Sequence, residues 1–425
     1  MLRTLSPLAC VLAITATTAG AQDWRVTWYL VHEFGRDMDG ATTFIAPDGA
    51  GGVWTNATAR ETSGLYHITG GAPQPPGLLV DVWTEPWPDR EVAQPELQFP
   101  RGSRGIVGAA LWGEGKLAIG TSTGLFWVDG PTVTYEPVVV PGRTFNKTML
   151  AMSVHEPACD ARGIRLLAEG GAGELWMWSP SLSLLRCVRA RHGPCMWTHN
   201  AEPVPHEGVQ ARMDEWLAGQ TPTAIAAGGP DETLIGTDKG DVLLVKHNAQ
   251  VFGTSVALAD RATSARTGGS GPVWDLMRDS QGRIWVAYGG TPIALQERLG
   301  AIAMYDGSKW SAWDRDSSKL PARGFTAVCE VEPGVVWAGV DWADPKPNEV
   351  ASEETGIIEF RNDTWAYLDP PGLHRQPQSL VGVDPQYWSE VAGRGELWRR
   401  VTMIRTDTAG RAWVGTHGGL ACFER

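Results

Sequence analysis

A segment that recurs along the whole chain constrains this sequence more than any other feature. Ala41-Thr-Thr-Phe-Ile-Ala-Pro-Asp48 leads to Gly52-Val-Trp54 and then to Gly64-Leu-Tyr-His67. Val273–Asp279 leads to Gly282-Arg-Ile-Trp-Val286 and Gly300–Tyr305. Phe325–Glu330 leads to Gly334-Val-Val-Trp-Ala-Gly339 and Gly356–Phe360, and Val401–Asp407 leads to Gly410-Arg-Ala-Trp-Val-Gly-Thr416 and Gly419–Phe423. Three further copies read as having lost the Trp. One is Val107–Leu111, Leu117–Thr121 and Gly124–Trp127. Another is Thr148–Met152, Ile164–Ala168 and Gly173–Met177. The last is Thr223–Ala226, Thr233–Thr237 and Gly240–Leu244. In every copy a short apolar strand ends at a turn, a Gly opens a second strand, and another Gly opens a third. Several copies add a fourth: Pro131–Tyr135, Lys309–Trp313 and Asp363–Tyr367.

This grammar predicts an all-β chain, a seven-bladed β-propeller of four-stranded antiparallel blades. The repeat averages about 60 residues, longer than a minimal blade. A lone blade leaves both faces wet, whereas a blade stacked between neighbours buries both. The Trp and aliphatic positions are therefore expected between blades. Each Trp buries on the order of 200 Å², so most of the 21 Trp need no functional role. The 51 Gly and 29 Pro count against a helical bundle, because both are poor helix formers. The seventh copy stops at its third strand, while Asp23–Trp28 looks like the fourth strand of the others. That segment is expected to pair with Gly419–Phe423, completing the last blade and closing the ring, which removes an exposed sheet edge.

Residues 1–21 read as a signal peptide. Arg3 supplies the positive start, Leu5–Ala19 is mostly apolar or small, and Ala19-Gly20-Ala21 fits a small-x-small cleavage site. Residues 22–425 then form a single propeller domain, with loop insertions near 188–222, 340–356 and 369–399. No later stretch is long and apolar enough for a membrane span. A periplasmic or secreted location follows. The formal charge of −12 argues against a nucleic-acid groove. An oxidising compartment permits a disulfide between Cys187 and Cys195, which bracket a short segment; two buried thiols are the other reading. Cys159, Cys329 and Cys422 stay unassigned. No Cys-x-x-Cys pair or His/Cys zinc spacing is present, and no metal or cofactor is expected.

The segment Asp407-Thr-Ala-Gly-Arg-Ala-Trp-Val-Gly-Thr-His-Gly-Gly-Leu420 resembles the repeat of the two-component regulator propeller family, and Asp279–Ala287 is the next best match. In that family the propeller is usually the periplasmic sensor half of a bacterial hybrid histidine kinase. The sequence shows no kinase region, so the resemblance implies a sensor-like propeller and not kinase activity. The family defines no catalytic residues.

Blade connectivity puts the second-to-third loops and the blade-to-blade connections on one face. The long segments gather there, including Thr84–Arg104, Val188–Pro222, Tyr288–Gly300, Val340–Gly356 and Asp369–Arg399. Loops on a rigid scaffold are where binding usually sits. Asn56, Thr121, Asp238, Tyr288, Asp341 and His417 end a second strand or lie just past one, so they should ring the channel mouth. Arg323 and Arg400 precede inner strands on the same face, and Trp342 lies in the acidic loop beside Asp341. Such a ring suits a small polar ligand or glycan, and a protein partner is the other occupant considered. No Gly-x-Ser-x-Gly elbow, Walker loop or His-Glu-x-x-His is present. The reading is a non-catalytic recognition module. The alternatives are a secreted hydrolase or lyase acting on a glycan or lactone, and a docking scaffold.

Overall fold

The computed structural model describes residues 24–29, 44–59, 62–68, 77–83, 106–112, 116–121, 124–129, 132–136, 164, 166–170, 174–179, 183–188, 196–199, 220–229, 232–246, 254–259, 271–289, 300–314, 324–340, 356–368, 379–380, 401–416 and 419–425. The signal peptide expected at 1–21 lies outside these residues. Every regular element among them is a β-strand.

Strand β1 (Arg25–Tyr29) stands apart in sequence from the rest. The first sheet is β2 (Ile45–Pro47), β3 (Val53–Ala59), β4 (Thr62–Ile68) and β5 (Gly77–Trp83). The second is β6 (Ile106–Trp112), β7 (Lys116–Thr121), β8 (Gly124–Asp129) and β9 (Thr132–Glu136). The third is β10 (Leu166–Glu169), β11 (Leu175–Ser179), β12 (Ser183–Val188) and β13 (Met196–His199). The fourth is β14 (Pro222–Gly229), β15 (Glu232–Thr237), β16 (Val242–Lys246) and β17 (Thr254–Ala259). The fifth is β18 (Val273–Arg278), β19 (Ile284–Tyr288), β20 (Ala301–Tyr305) and β21 (Trp310–Asp314). The sixth is β22 (Phe325–Glu332), β23 (Val335–Val340), β24 (Gly356–Arg361) and β25 (Thr364–Leu368). Two-residue β26 (Ser379–Leu380) joins the seventh, with β27 (Val401–Thr406), β28 (Ala412–Thr416) and β29 (Gly419–Glu424).

The sheets meet through their first strands. β2, β6, β10, β14, β18, β22 and β27 contact one another in that order, and β27 also contacts β2. Each of the seven apolar clusters straddles two successive sheets. Trp54 and Leu65 of the first pack on Leu117 and Phe126 of the second. At the other end of the chain, Trp413 and Leu420 of the seventh pack on Val53 and Tyr66 of the first. The repeat's Trp and aliphatic positions thus lie between sheets, where burial of both faces is strongest. The Gly of the Trp-x-Gly motif has a steric cause. A Cβ at Gly339 would lie 2.5 Å from Val401 Cγ1 on the next sheet.

The strand expected at the start of the mature chain lies against the last one. β1 pairs antiparallel with β29, from Arg25 opposite Glu424 to Tyr29 opposite Leu420. Trp24 is buried, with its ring edge-on to Trp337 at 5.0 Å and to Phe423 at 6.4 Å. β26 adds to the outer side of β1 in parallel, so this sheet has five strands where four were expected.

The third sheet corrects the sequence reading. Thr148–Met152 lies outside the described residues, and the first strand of this sheet is β10, not the second. The copy had been phased one strand early. Gly173–Met177 therefore carries the second strand, and Trp176 is the repeat's Trp, paired across from Ala168. That copy never lost it. The fourth strand, β13, comes from inside the segment expected as an insertion near 188–222.

Candidate functional site

Antiparallel order within each sheet separates two sets of chain ends. On one side the first-to-second and third-to-fourth turns are short, as at 279–283, 306–309, 333–334, 362–363 and 407–411. On the other side leave the connections 84–105, 137–165, 200–221, 289–300, 341–355 and 369–400.

The short-turn side is spent on structure. Asp279 accepts the Gln281 and Arg283 amides at 3.0 and 2.8 Å, Arg283 Nε at 2.6 Å and the Trp285 indole N–H at 2.8 Å. Asp407 does the same for Ala409, Arg411 and Trp413. Glu359 takes the Trp337 indole at 2.9 Å and Arg361 Nε at 2.7 Å. Glu174 takes Trp176 at 3.2 Å and Arg186 Nε at 2.7 Å. In the first sheet Asp48 meets His67 Nε2 at 2.9 Å, and the His67 ring stacks on Trp54 at 4.2 Å. Burial pushes the Asp48 carboxyl up, but hydrogen bonds from the Gly52 amide, His67 and the Ala50 amide outweigh it and hold it below its ordinary value. Each of these five carboxylates is satisfied by an indole, a cation or backbone amides, which commits all five to structure.

Among the sequence-derived candidates, Asn56, Asp238 and Tyr288 can be placed. Asn56 is fully buried within β3, and its Oδ1 accepts the Phe44 amide at 3.2 Å. It occupies the position held by Gly339 and Gly415 in other copies, away from any loop. Asp238 is exposed in the turn after β15, and its Oδ1 accepts the Thr221 amide at 2.8 Å. Tyr288 ends β19, fully buried between the fourth and fifth sheets. Burial, with the nearby Asp241 charge, pushes its phenol well above the ordinary value, so it stays protonated. Its hydroxyl has no hydrogen-bond partner among the described residues. Tyr288 lies at the junction of the fourth and fifth sheets, Asp238 in a turn of the fourth and Asn56 in the first. Arg323, Asp341, Trp342, Arg400 and His417 lie outside the described residues. So does Cys195; Cys187 is buried on β12 opposite Trp197.

Trp274 is the residue that sequence reasoning missed. It is 36% exposed, the only exposed large apolar side chain among the described residues. It sits in the register shift between Val273 and Asp275, at the start of the fifth sheet's first strand. The fourth and sixth sheets have the same shift with Thr in that place. Thr223 Oγ1 donates to Val273 O at 2.6 Å, and Thr326 Oγ1 donates to Val401 O. Those threonines latch one sheet to the next, whereas Trp274 turns its indole over Gly289. A Trp where other copies carry Thr was the available signal.

Deeper along the first strands, Arg405 of the seventh sheet reaches past the sixth to Asp275 of the fifth, at 3.0 and 3.2 Å. Asp275 also accepts the Val328 amide at 3.1 Å. Among the described residues no group of three or more His, Cys, Asp or Glu side chains converges to hold a metal ion. No helix among them is long and apolar enough to cross a membrane.

The two-component regulator propeller family matches residues 267–290, which span the start of the fifth sheet, its Asp279 turn and Trp285. The chain carries a two-component regulator propeller repeat. This propeller is also similar to two structures of the extracellular domain of BT4673 from B. thetaiotaomicron, described as a hybrid two-component system and as a one-component system. Identities are 14% and 12%, and both TM-scores are 0.51. The likeness covers 90% and 95% of this chain, but only 38% and 40% of those longer ones. At such identity the likeness establishes the β-propeller fold alone. No curated protein matches the chain.

Proposed function

We propose that residues 22–425 are one closed seven-bladed propeller, exported after removal of 1–21. It acts as a non-catalytic, sensor-like recognition module in the periplasm or outside the cell. The seven sheets are read as its blades and the β1–β29 pair as its clasp. Recognition is assigned to the long-connection side, where a small polar ligand, a glycan or a protein partner would sit. The resemblance to sensor propellers and to extracellular domains supports the location and the role. The observation that carries the reading is Trp274, left exposed at that side where neighbouring blades use an inter-blade Thr latch. Its part-exposed indole offers a flat apolar face on which a ligand ring could stack. The commitment of Glu174, Asp279, Glu359 and Asp407 to indoles and cations takes these four out of acid–base work.

A thermal-shift screen of the purified protein against sugars, amino acids and divalent metals tests this. A ligand of the folded state must raise the melting temperature. Trp274→Ala should melt like wild type when free and lose that shift. A shift retained in full by the variant would move the site elsewhere, and a screen without shifts would favour protein docking.

A further inference from the structure

The first strand of every sheet has one edge with no strand partner. Its outward N–H groups therefore need acceptors from the adjoining sheet. Two of them find sulfur. Glu330 on β22 donates its amide to Met277 Sδ at 3.1 Å, and Ile45 on β2 donates to Met403 Sδ at 3.2 Å. Each Met belongs to the first strand of the preceding sheet, β18 or β27. The β22 edge is held two residues earlier by Asp275, through the Val328 amide. Alternate residues of a strand point the same way, so Asp275 and Met277 stitch a single edge. A thioether is a weak acceptor and an oxidisable one.

Met277 and Met403 are half-buried, whereas Met177 is fully buried. The described cysteines are poorer targets. Cys187, Cys329 and Cys422 are buried. Burial pushes the Cys329 thiol up to about 11 and raises Cys422 further, which suppresses the reactive thiolate.

We propose that Met277 and Met403 are oxidation sites, and that their conversion to the sulfoxide loosens the seams between the fifth and sixth sheets and between the seventh and first. A sulfur lone pair attacks one oxygen of a peroxide. The S–O bond forms as the O–O bond breaks, and the departing oxygen takes up the peroxide proton and leaves as water. Sulfur loses an electron pair and the peroxide gains it. Oxygen added on the lone pair that accepts the amide enters the space between sulfur and nitrogen, and oxygen added on the other places a polar group in the half-buried seam. The inner strands then move apart, or the amide loses its acceptor at a cost. Sulfoxide reduction restores the seam.

The experiment treats the purified protein with graded hydrogen peroxide, maps oxygen addition by peptide mass, and follows melting. Oxygen should appear at Met277 and Met403 before Met177, with a melting temperature that falls as they convert. The double variant Met277→Leu/Met403→Leu keeps the apolar volume without the sulfurs, and should hold its melting temperature through the same treatment. Should the double variant not fold, each single variant should remove part of the loss. Met304→Leu, altering a half-buried methionine on β20, should lose as much as wild type. Fully converted protein that melts unchanged would overturn the proposal. So would a Leu variant that loses as much as wild type, or Met177 reacting first.

Discussion

The indole N–H of Trp176 in β11 reaches the carboxylate of Glu174, the residue just before that strand, at 3.2 Å. Trp285 and Trp413 meet the same need through an Asp in the preceding turn, and Trp337 through Glu359 on the neighbouring strand. These four repeat tryptophans share one chemistry: the buried indole donor has a carboxylate acceptor, and the acceptor's charge has a cation. Arg186, Arg283, Arg361 and Arg411 supply that cation. The carboxylate's place in the sequence drifts while the triad persists.

Asp407→Ala tests the triad. The Asp407 side chain has no exposure and serves Arg411, Trp413 and two backbone amides. Removing one partner of a buried pair costs about 3–5 kcal/mol, because the other is left uncompensated. Urea unfolding should show a loss of that order, and a loss below about 1 kcal/mol would mark the pair as a surface-type contact.

Most of the fold was legible because the Gly, Trp and aliphatic spacing follows from packing between sheets, and packing leaves a periodic trace. The strand pairing of β1 was legible because the last copy lacked a partner for Gly419–Phe423. The third sheet was misphased because its turn carries Gly170 where the first, fifth and seventh carry Asp, and the acceptor moved to Glu174. The candidate site was far less legible. A ring of side chains drawn from different blades has no spacing rule. Asn56 reads as the end of its strand or just past it, but β3 runs on to Ala59 and buries it. Trp274 hid inside a strand motif whose register shift cannot be seen without the pairing.

Trp24 anchors the N-terminal strand. It is 3% exposed among Trp337, Phe423 and the Arg425 guanidinium, which lies 4.9 Å from its ring. Trp24→Ala should cost about 3–5 kcal/mol. The loss should appear as one cooperative transition, since β1 belongs to the last sheet. Deleting 23–28 should cost more, and unchanged melting would count against the clasp.

Gly339→Ala adds a methyl group where Val401 Cγ1 leaves 2.5 Å. Overpacking of this kind costs about 1–3 kcal/mol. Pairing the change with Val401→Ala should recover part of the loss, which a double-mutant cycle would measure. Strict additivity would show that the two sites do not meet.

For the proposed Cys187–Cys195 bridge, intact mass with and without reductant, followed by peptide mapping, decides the matter. Joined peptides that separate on reduction are expected. Free thiols at both positions in oxidised protein would reject it.

Asp48 gives the first sheet an acid limit. Its carboxyl lies below the ordinary 3.8 when folded. A group so depressed contributes stability that is complete above the unfolded value and is lost as pH falls through the folded one. Stability measured by urea unfolding should therefore decline below about pH 4, the region of an unfolded carboxyl. Asp48→Asn should be less stable than wild type at neutral pH and converge with it in acid. His67→Phe keeps a ring against Trp54 but removes the hydrogen bond to Asp48, so the Asp48 titration followed by carboxyl NMR should move up towards 3.8. An unmoved titration in that variant would assign the depression to the Gly52 and Ala50 amides alone.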